Sequence, residues 1–144
     1  MATVEELIRG KGPDVYAVTP YVTVLEAIAL MVQHNVGALV VLEADEPCGI
    51  ITERDYLRRV VLQGRSSKTT FVKEIMSTGL VSVELQETSD SCMKLMTEHR
   101  IRHLIVVRDG ILAGVLSIGD IVKHLASERE SMIHQLTEYI QGRA

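Results

Sequence analysis

Three observations in the sequence predict a mixed α/β (α+β) fold made of two β-α-β-β-α repeats. First, Gly49-Ile50-Ile51-Thr52-Glu53-Arg54-Asp55 and Gly114-Val115-Leu116-Ser117-Ile118-Gly119-Asp120 follow one pattern, 65 positions apart. Second, the same register runs without a gap from 15–60 against 80–125 and keeps apolar residues opposite apolar ones. Third, strand-like and helix-like segments follow in the same order in both halves. A register kept over this length indicates an internal duplication.

In the first repeat, the residues of 15–18 alternate weakly, as in a short strand. Thr23 and Glu26 then form a capping-box pattern that opens a helix. The run 38–42 is apolar and rich in β-branched residues, as a buried strand is. We expect a turn at 44–47, followed by a second strand over 49–51 and a helix after Asp55.

The second repeat shows the same order, with Asp109-Gly110 as its hairpin turn. The predicted organisation is a helical lead-in at 1–14, repeat 1 at 15–62, a linker at 63–79, repeat 2 at 80–126 and a C-terminal helical extension at 127–144. Order resumes at 72–76, before repeat 2 begins. Apolar residues at helical spacing cover 121–140, and this spacing is weak in one helical turn, 126–129. This surplus apolar stripe favours an interface with another subunit or a partner, and the alternative is simple packing on its own domain.

Composition limits the possible functions. A chain of 144 residues has the size of a single domain, so we expect the repeats to share one core. The apolar share of 47% is aliphatic, because Trp is absent and Phe71 is the only phenylalanine. A net charge of -4 argues against a general nucleic-acid binder but allows a small anionic ligand.

The cysteines and the N-terminus indicate a reducing compartment. Cys48 and Cys92 are too few for a disulfide framework and too far apart for a CxxC pattern, so we interpret both as small apolar residues. Acidic residues stand where a signal peptide carries basic charge, and no apolar run approaches the roughly 20 residues of a membrane span. We predict a cytoplasmic protein.

The pairs Thr52/Asp55 and Ser117/Asp120 have two interpretations. A hydroxyl followed three residues later by an acid is a helix-capping box, as Thr23 and Glu26 also show. However, these two pairs directly follow a buried strand that begins with glycine. At such an edge a carboxylate can accept hydrogen bonds from a ribose diol. Neither GxGxxG nor GxxxxGK[ST] occurs, so any phosphate must be met by side chains.

These motifs, with the second strands His-Asn-Val-Gly-Ala-Leu-Val-Val and Arg-Ile-Arg-His-Leu-Ile-Val-Val, resemble a tandem pair of CBS domains, named after cystathionine β-synthase. The resemblance covers nearly the whole chain. It implies that the two repeats pack about a pseudo-two-fold axis and leave two clefts between their sheets. It also implies that adenosine-containing ligands such as AMP, ADP, ATP, NAD or S-adenosylmethionine bind there.

The resemblance further implies the residues of each site. Asp55 and Asp120 would hold the ribose hydroxyls, assisted by Thr52 or Ser117. Ile118 and Gly119, which lie between Ser117 and Asp120, are also expected at the ligand, Gly119 with its backbone only. The adenine would lie between apolar residues of the first strand, the following helix and the second strand. The residues at these positions are Val18, Thr19, Ala27, Gly37 and Ala38 in repeat 1, and Val83, Cys92, Arg102 and His103 in repeat 2.

The two clefts are not expected to be equivalent. Gly37-Ala38 makes a small neutral wall, whereas Arg102-His103 offers a permanent cation and a titratable ring. Arg54 stands beside Asp55, but the counterpart of Arg54 is Gly119. We therefore expect Arg54, Arg102 and His103 to converge on phosphate oxygens. In the alternative, Arg54 is a solvated first-turn arginine paired with Glu53 or Asp55.

Other chemistries have weaker support. His99 and His103 have zinc-like spacing only if one helix carries both, and a strand is expected to start near His103, so we predict no metal site. No nucleophile–base arrangement stands out, and we expect no catalysis. A basic run could contact RNA or an acidic partner, but a solvated helix face plus a polar loop is the simpler explanation. The run comprises Arg54, Arg58, Arg59, Arg65 and Lys68.

The sequence thus predicts a non-catalytic regulatory module that senses AMP, ADP, ATP, NAD or S-adenosylmethionine between its repeats. AMP, ATP and NAD are the ligands we expect first. The module would form a homodimer and signal to a separate protein, with neither membrane nor nucleic acid as partner. The alternative is a protein-interaction module whose nucleotide clefts are vestigial.

Overall fold

The computed structural model of the chain describes residues 2–11 and 15–141, without the side chain of residue 139. The structure forms two three-stranded sheets flanked by helices, in the predicted order. The elements are α1 Val4–Arg9, β1 Ala17–Val18, α2 Val24–His34, β2 Ala38–Glu43, β3 Glu46–Thr52, α3 Glu53–Tyr56 continuing as a π-helical turn Leu57–Val61, α4 Val72–Ile75, β4 Ser82–Glu84, α5 Ser89–His99, β5 His103–Arg108, β6 Ile111–Ser117 and α6 Ile118–Ile140.

The two sheets have the same topology. In each, a short first strand runs parallel to the second, which pairs antiparallel with the third: β1-β2-β3 and β4-β5-β6. The hairpins match residue by residue, with Val41 opposite Gly49 and Val106 opposite Gly114, and each is irregular at this point. The predicted mixed α/β fold of two β-α-β-β-α repeats is confirmed.

The hairpin turns are tighter than the first repeat suggested. Ala44 and Asp45 adopt left-handed φ values of 51° and 63°, while Glu46 and Pro47 already belong to β3. The predicted turn at 44–47 was therefore too long, because two left-handed residues suffice to reverse a twisted hairpin. Asp109 and Gly110, with φ values of 51° and 80°, form the turn predicted for repeat 2.

The repeats do not share the single core that we expected. Each has its own buried aliphatic cluster, and a third small cluster of Val40, Ile50 and Ile105 joins the two sheets. Each sheet therefore has one face toward the cluster of its own repeat and one toward the other repeat. The inter-repeat face is what brings the two motif ends close together.

The short helices before each repeat cross over. Val4 and Leu7 of α1 are buried in the cluster of the second repeat, beside Val83. Val72 and Ile75 of α4 are buried in the cluster of the first repeat. The N–H of Val4 donates to Glu87 O at 2.8 Å, and the N–H of Val72 donates to Val22 O at 2.9 Å. Each crossing segment therefore ties one repeat to the other.

The C-terminal helix α6 is continuous from Ile118 to Ile140 and includes the turn at 126–129, where the apolar spacing is weak. That stretch contains neither Gly nor Pro, and His124 and Glu128, 3.0 Å apart, span the turn at i,i+4 spacing. Its second half exposes Met132, Ile133 and Leu136. Among the residues that the structure describes, no helix is both long and apolar enough to cross a membrane.

Candidate functional site: two clefts between the repeats

Two cavities of similar size, about 460 and 420 Å³, lie where the motif of one repeat faces the other repeat. The first, here called the Asp55 cleft, includes Thr52, Asp55 and residues 100–103. The second, the Asp120 cleft, includes Ser117, Asp120 and residues 34–38. The duplicated motif is thus placed at two related cavities.

Asp55 lies in the first turn after β3 and is only 8% exposed. Its Oδ2 accepts the Thr52 N–H at 3.0 Å, and the Asp55 N–H donates to Thr52 Oγ1 at 3.1 Å. The Ser77 hydroxyl donates to Asp55 Oδ1 at 3.2 Å. The capping box is therefore real, but a carboxylate accepts up to about four hydrogen bonds, so capping leaves capacity for a ligand.

Asp120 repeats this arrangement with a different third partner. Its Oδ2 accepts the Ser117 N–H at 2.8 Å, and its own N–H donates to Ser117 Oγ at 3.1 Å. The ammonium of Lys11 lies 2.9 Å from Asp120 Oδ2 and donates to Val115 O at 2.8 Å. The carboxylate of Asp120 is therefore already paired with a cation, whereas that of Asp55 is paired with a hydroxyl.

The charges that line the clefts differ strongly. The Asp55 cleft brings five arginines together with Glu53, Asp55 and His103; these arginines are Arg54, Arg58, Arg59, Arg100 and Arg102. The Asp120 cleft has Lys11 and Asp120, which offset one another, and the rings of Tyr16 and His34, which stack with centroids 3.8 Å apart. An anion is attracted to the first cleft far more than to the second.

The expected convergence of Arg54, Arg102 and His103 on one cavity agrees with the geometry. Among the described residues, Arg54 forms no salt bridge with Glu53 or Asp55, so the alternative of a paired first-turn arginine has no support. Arg59 is partly committed elsewhere, because its guanidinium donates to Ile75 O at 2.8 Å. Whether the other cations contact phosphate stays a prediction.

The predicted site residues fall into two groups. Those that line a cavity are Gly37, Ala38, Thr52, Arg54, Asp55, Arg102, His103, Ser117 and Asp120. Those that the structure places elsewhere are Val18, Thr19, Ala27, Val83, Cys92, Ile118 and Gly119.

Four residues of the second group, Val18, Ala27, Val83 and Cys92, are buried in the core of their own repeat. Ala27 and Cys92 are fully buried, because they lie on the faces of α2 and α5 that pack on their own repeat's core. Val18 and Val83 alternate into the same cores. Helix and strand positions were predicted from the sequence without knowing which face was inward, so these residues line neither cavity, and their part in binding stays a prediction.

Burial also sets the protonation of two of the predicted residues. Burial lowers the pKa of His103, with Lys11 and Arg102 adding to this and Asp120 and Asp55 opposing it. Burial, with a contribution from Glu87, raises the pKa of the Cys92 thiol to about 11. Cys92 is therefore protonated at neutral pH and packs as an apolar residue.

The basic run does not form one surface. Arg54, Arg58 and Arg59 line the Asp55 cleft, whereas Arg65 pairs with Glu74 at 2.6 Å outside it. His99 ends α5 and His103 begins β5, as expected, so no single helix carries both. Within 2–11 and 15–141 no group of three metal-ligating side chains occurs.

Several residues of the clefts were not predicted from the sequence. Ser77 and Lys11, which contact the motif aspartates, follow α4 and α1. Those helices also repeat, as Val4/Val72 and Leu7/Ile75 show, but 68 positions apart, so a search at a register of 65 passes over them. Arg58 was detectable from its i,i+4 spacing to Arg54, whereas Arg100 carried no signal beyond its place after α5.

Comparisons with known proteins agree with this architecture. The family model of the CBS domain matches residues 4–62 and 72–127. The chain is 42% identical to the mitochondrial CBS domain-containing protein CBSX3 of Arabidopsis thaliana, over 97% of this chain and 72% of that protein.

Solved structures show the same fold. A protein with CBS domains from Burkholderia ambifaria superposes with a TM-score of 0.83 at 47% identity, covering 88% of this chain and 95% of that chain. The CBS domain pair of protein MJ0100 superposes with a TM-score of 0.78 at 19% identity, covering 89% of this chain and 98% of that chain. With its two matched repeats and two motif clefts, the chain belongs to the CBS-domain family as a tandem pair.

Proposed function

We propose that this CBS pair is a regulatory sensor that binds a phosphate-bearing adenosine ligand in the Asp55 cleft. The observation that carries the proposal is the meeting of Asp55 with Arg54, Arg102 and His103 at one cavity of about 460 Å³. This volume lies in the ordinary range for small-molecule sites. The MJ0100 CBS pair was crystallised with 5′-methylthioadenosine and S-adenosylmethionine, which supports an adenosine-type ligand here as well.

The roles of the residues follow from their chemistry. Asp55 accepts hydrogen bonds from the ribose diol, and the Ser77 hydroxyl is free to rotate from Asp55 toward the incoming ligand. Arg54 and Arg102 bind phosphate oxygens, since a guanidinium offers several fixed donors. We propose AMP or ATP ahead of NAD, because the charge of the cleft rewards clustered phosphates.

The Asp120 cleft is proposed as the weaker site for the same ligands. Lys11 already satisfies part of Asp120 and must shift before a ribose diol can take its place. Cavity-lining cations are fewer here, so an adenosine group with little negative charge fits this cleft better than a triphosphate does.

Regulation requires two states that the ligand distinguishes. A ligand that contacts both Asp55 of repeat 1 and Arg102 of repeat 2 favours the repeat orientation in which both contacts are made. We propose that a homodimer transmits this change, because α6 exposes a stripe of Val122, Leu125, Met132 and Leu136 at helical spacing. The regulated protein is a separate molecule. We assign no catalytic step to the clefts.

The same stripe favours the second candidate function, a protein-interaction module with vestigial clefts. Exposed apolar stripes of this kind mark interaction surfaces. We keep the cytoplasm as the proposed location on the basis of the two free thiols, while the Arabidopsis relative is named mitochondrial.

Calorimetric titration with AMP, ATP, NAD and S-adenosylmethionine tests the proposal. We expect ATP or AMP to bind, and Asp55→Ala to weaken binding about ten- to a hundredfold, as loss of a charge-assisted hydrogen bond does. Asp120→Ala is the matched control and leaves the phosphate-binding site nearly intact. Absence of binding by all four ligands at about millimolar concentration would favour the interaction module.

Because Asp55 also caps a helix, the same variants are melted in parallel. Asp55→Asn keeps an acceptor for the Thr52 N–H while removing the charge, so its stability stays closer to the parent than that of Asp55→Ala. Unchanged affinity with a lowered melting temperature in Asp55→Ala means that the motif serves only as a cap.

A further inference from the structure

His103 stands in the wall that separates the two clefts. It begins β5, its ladder partner is Ser117 of the Asp120 cleft, and yet it lines both cavities. Gly37 is the other residue common to both linings. Ala38, which follows Gly37, is the counterpart of His103 in repeat 1 and offers only a methyl group. One titratable ring thus serves two sites related by the duplication.

Charged groups from several elements face this ring. Lys11 follows α1, Arg102 precedes β5, Asp55 lies in α3 and Asp120 in α6, and all four act on His103 electrostatically. The cavities that the ring lines also contain Glu53, Arg54, Arg58, Arg59, Arg100, Tyr16 and His34. Lys11 and Arg102 oppose protonation of the ring, whereas Asp120 and Asp55 favour it.

Burial decides the state of the ring before a ligand arrives. Burial is the largest influence on His103 and lowers its pKa, so the ring is neutral at neutral pH. A phosphate group in the Asp55 cleft brings about two negative charges to this wall. Those charges favour the imidazolium form, which donates from both ring nitrogens.

We propose that His103 is a proton-linked specificity residue: a phosphate-bearing ligand enters the Asp55 cleft together with a proton that the buffered solvent supplies to the His103 ring. The proton binds a ring nitrogen of the neutral imidazole, and the product is the phosphate–imidazolium pair. An uncharged adenosine lacks the anion that stabilises this pair and binds without the proton. This inference uses the proposed site but needs only that the ligand carry phosphate.

Calorimetry in two buffers of different ionisation enthalpy, PIPES and Tris, tests the proposal at pH 7 to 8, where a phosphate monoester is already mostly dianionic. The probes are AMP and inorganic pyrophosphate. We expect net proton uptake by the parent protein, and an affinity that falls with rising pH by up to about tenfold per unit. His103→Gln should lose both effects, while His99→Gln at the exposed end of α5 keeps them.

Each outcome decides the inference. AMP binding without proton uptake, or with uptake that His103→Gln retains, overturns it while the nucleotide site stands. Pyrophosphate binding with His103-dependent uptake, but no AMP binding, supports it and removes the adenosine part of the proposed function. Binding of neither probe overturns both. If His103→Gln fails to fold, the imidazole proton resonances of the parent protein, titrated with and without pyrophosphate, decide: an unmoved His103 pKa contradicts the proposal.

Discussion

At Asp55 the third contact to the motif carboxylate comes from the hydroxyl of Ser77, whereas at Asp120 it comes from the ammonium of Lys11. The capping bonds within the two motifs are otherwise the same, and all of them lie between 2.8 and 3.1 Å. Around Asp55 the counterparts of small or polar residues have become arginines: Arg102 stands where the other repeat has Gly37, and Arg100 where it has Asn35.

This comparison shows which parts of a duplicated fold diverge. Positions that cap the helix after the third strand keep their residue type, Thr or Ser followed by Asp, because the helix start of both repeats needs them. Residues that only line the cavity differ in charge, because the fold does not constrain them. Differences between the repeats therefore indicate function, whereas their similarities mainly reflect the shared fold.

Removal of the cleft arginines is expected to have the largest effect. Arg54→Ala combined with Arg102→Ala should weaken ATP binding roughly a hundredfold and reduce its dependence on salt. Titration calorimetry at two salt concentrations measures both. Arg65→Ala with Lys68→Ala is the matched control, since it removes two cations of the same basic run outside the cleft. An equal loss in the control would mean that general charge, not the cleft, attracts the ligand.

The motif glycines should differ in their tolerance of a methyl group. A Cβ at Gly49 would lie 2.6 Å from Met76 Sδ and 3.2 Å from Ser77 O, whereas one at Gly114 would lie 3.4 Å from Ile8 Cδ1. We expect Gly49→Ala to lower the free energy of unfolding by about 1 to 3 kcal/mol and Gly114→Ala by less than about 1 kcal/mol. Urea unfolding measures both, and equal losses would contradict the different packing of α1 and α4.

Arg100 is expected to lower the stability of the fold while it adds positive charge to the Asp55 cleft. It ends α5 in the left-handed conformation, with φ 54°, where Asn35 ends α2 with φ 53°. Asparagine tolerates this conformation better than arginine, so Arg100→Asn should stabilise the fold by up to about 1 kcal/mol. It should also weaken ATP binding a few-fold. Thermal melting and calorimetry on one preparation measure the two effects, and a destabilised variant would show that Arg100 makes contacts that outweigh its strain.

The smallest expected effect is on the pH dependence of stability. The folded state lowers the pKa of His103, so below the ordinary value of about 6.5 the unfolded chain binds more protons than the folded one. The contribution of His103 therefore destabilises the fold as pH falls through that value. His103→Gln should make the decline between pH 7.5 and 5.5 shallower in urea unfolding. A decline as steep as that of the parent would place the responsible group elsewhere.

The fold was predictable because the duplication revealed itself in apolar spacing, which needs no knowledge of side-chain contacts. Comparison of the two repeats also predicted that Thr52 with Asp55, and Ser117 with Asp120, lie where a strand meets a helix. It likewise predicted the grouping of Arg54, Arg102 and His103. Ala27 and Cys92 were expected in a cleft wall but are buried in the cores, because their small size suits either place and only packing separates the two. Lys11 and Ser77 were missed because the segments that carry them repeat in a different register and cross to the other repeat.

The most direct test of the inequality between the clefts is a crystal structure of the protein grown with ATP. The account predicts density for the phosphates in the Asp55 cleft, within hydrogen-bonding distance of Arg54 and Arg102, with the ribose on Asp55. Phosphate density in the Asp120 cleft beside Lys11, with the Asp55 cleft empty, would contradict it.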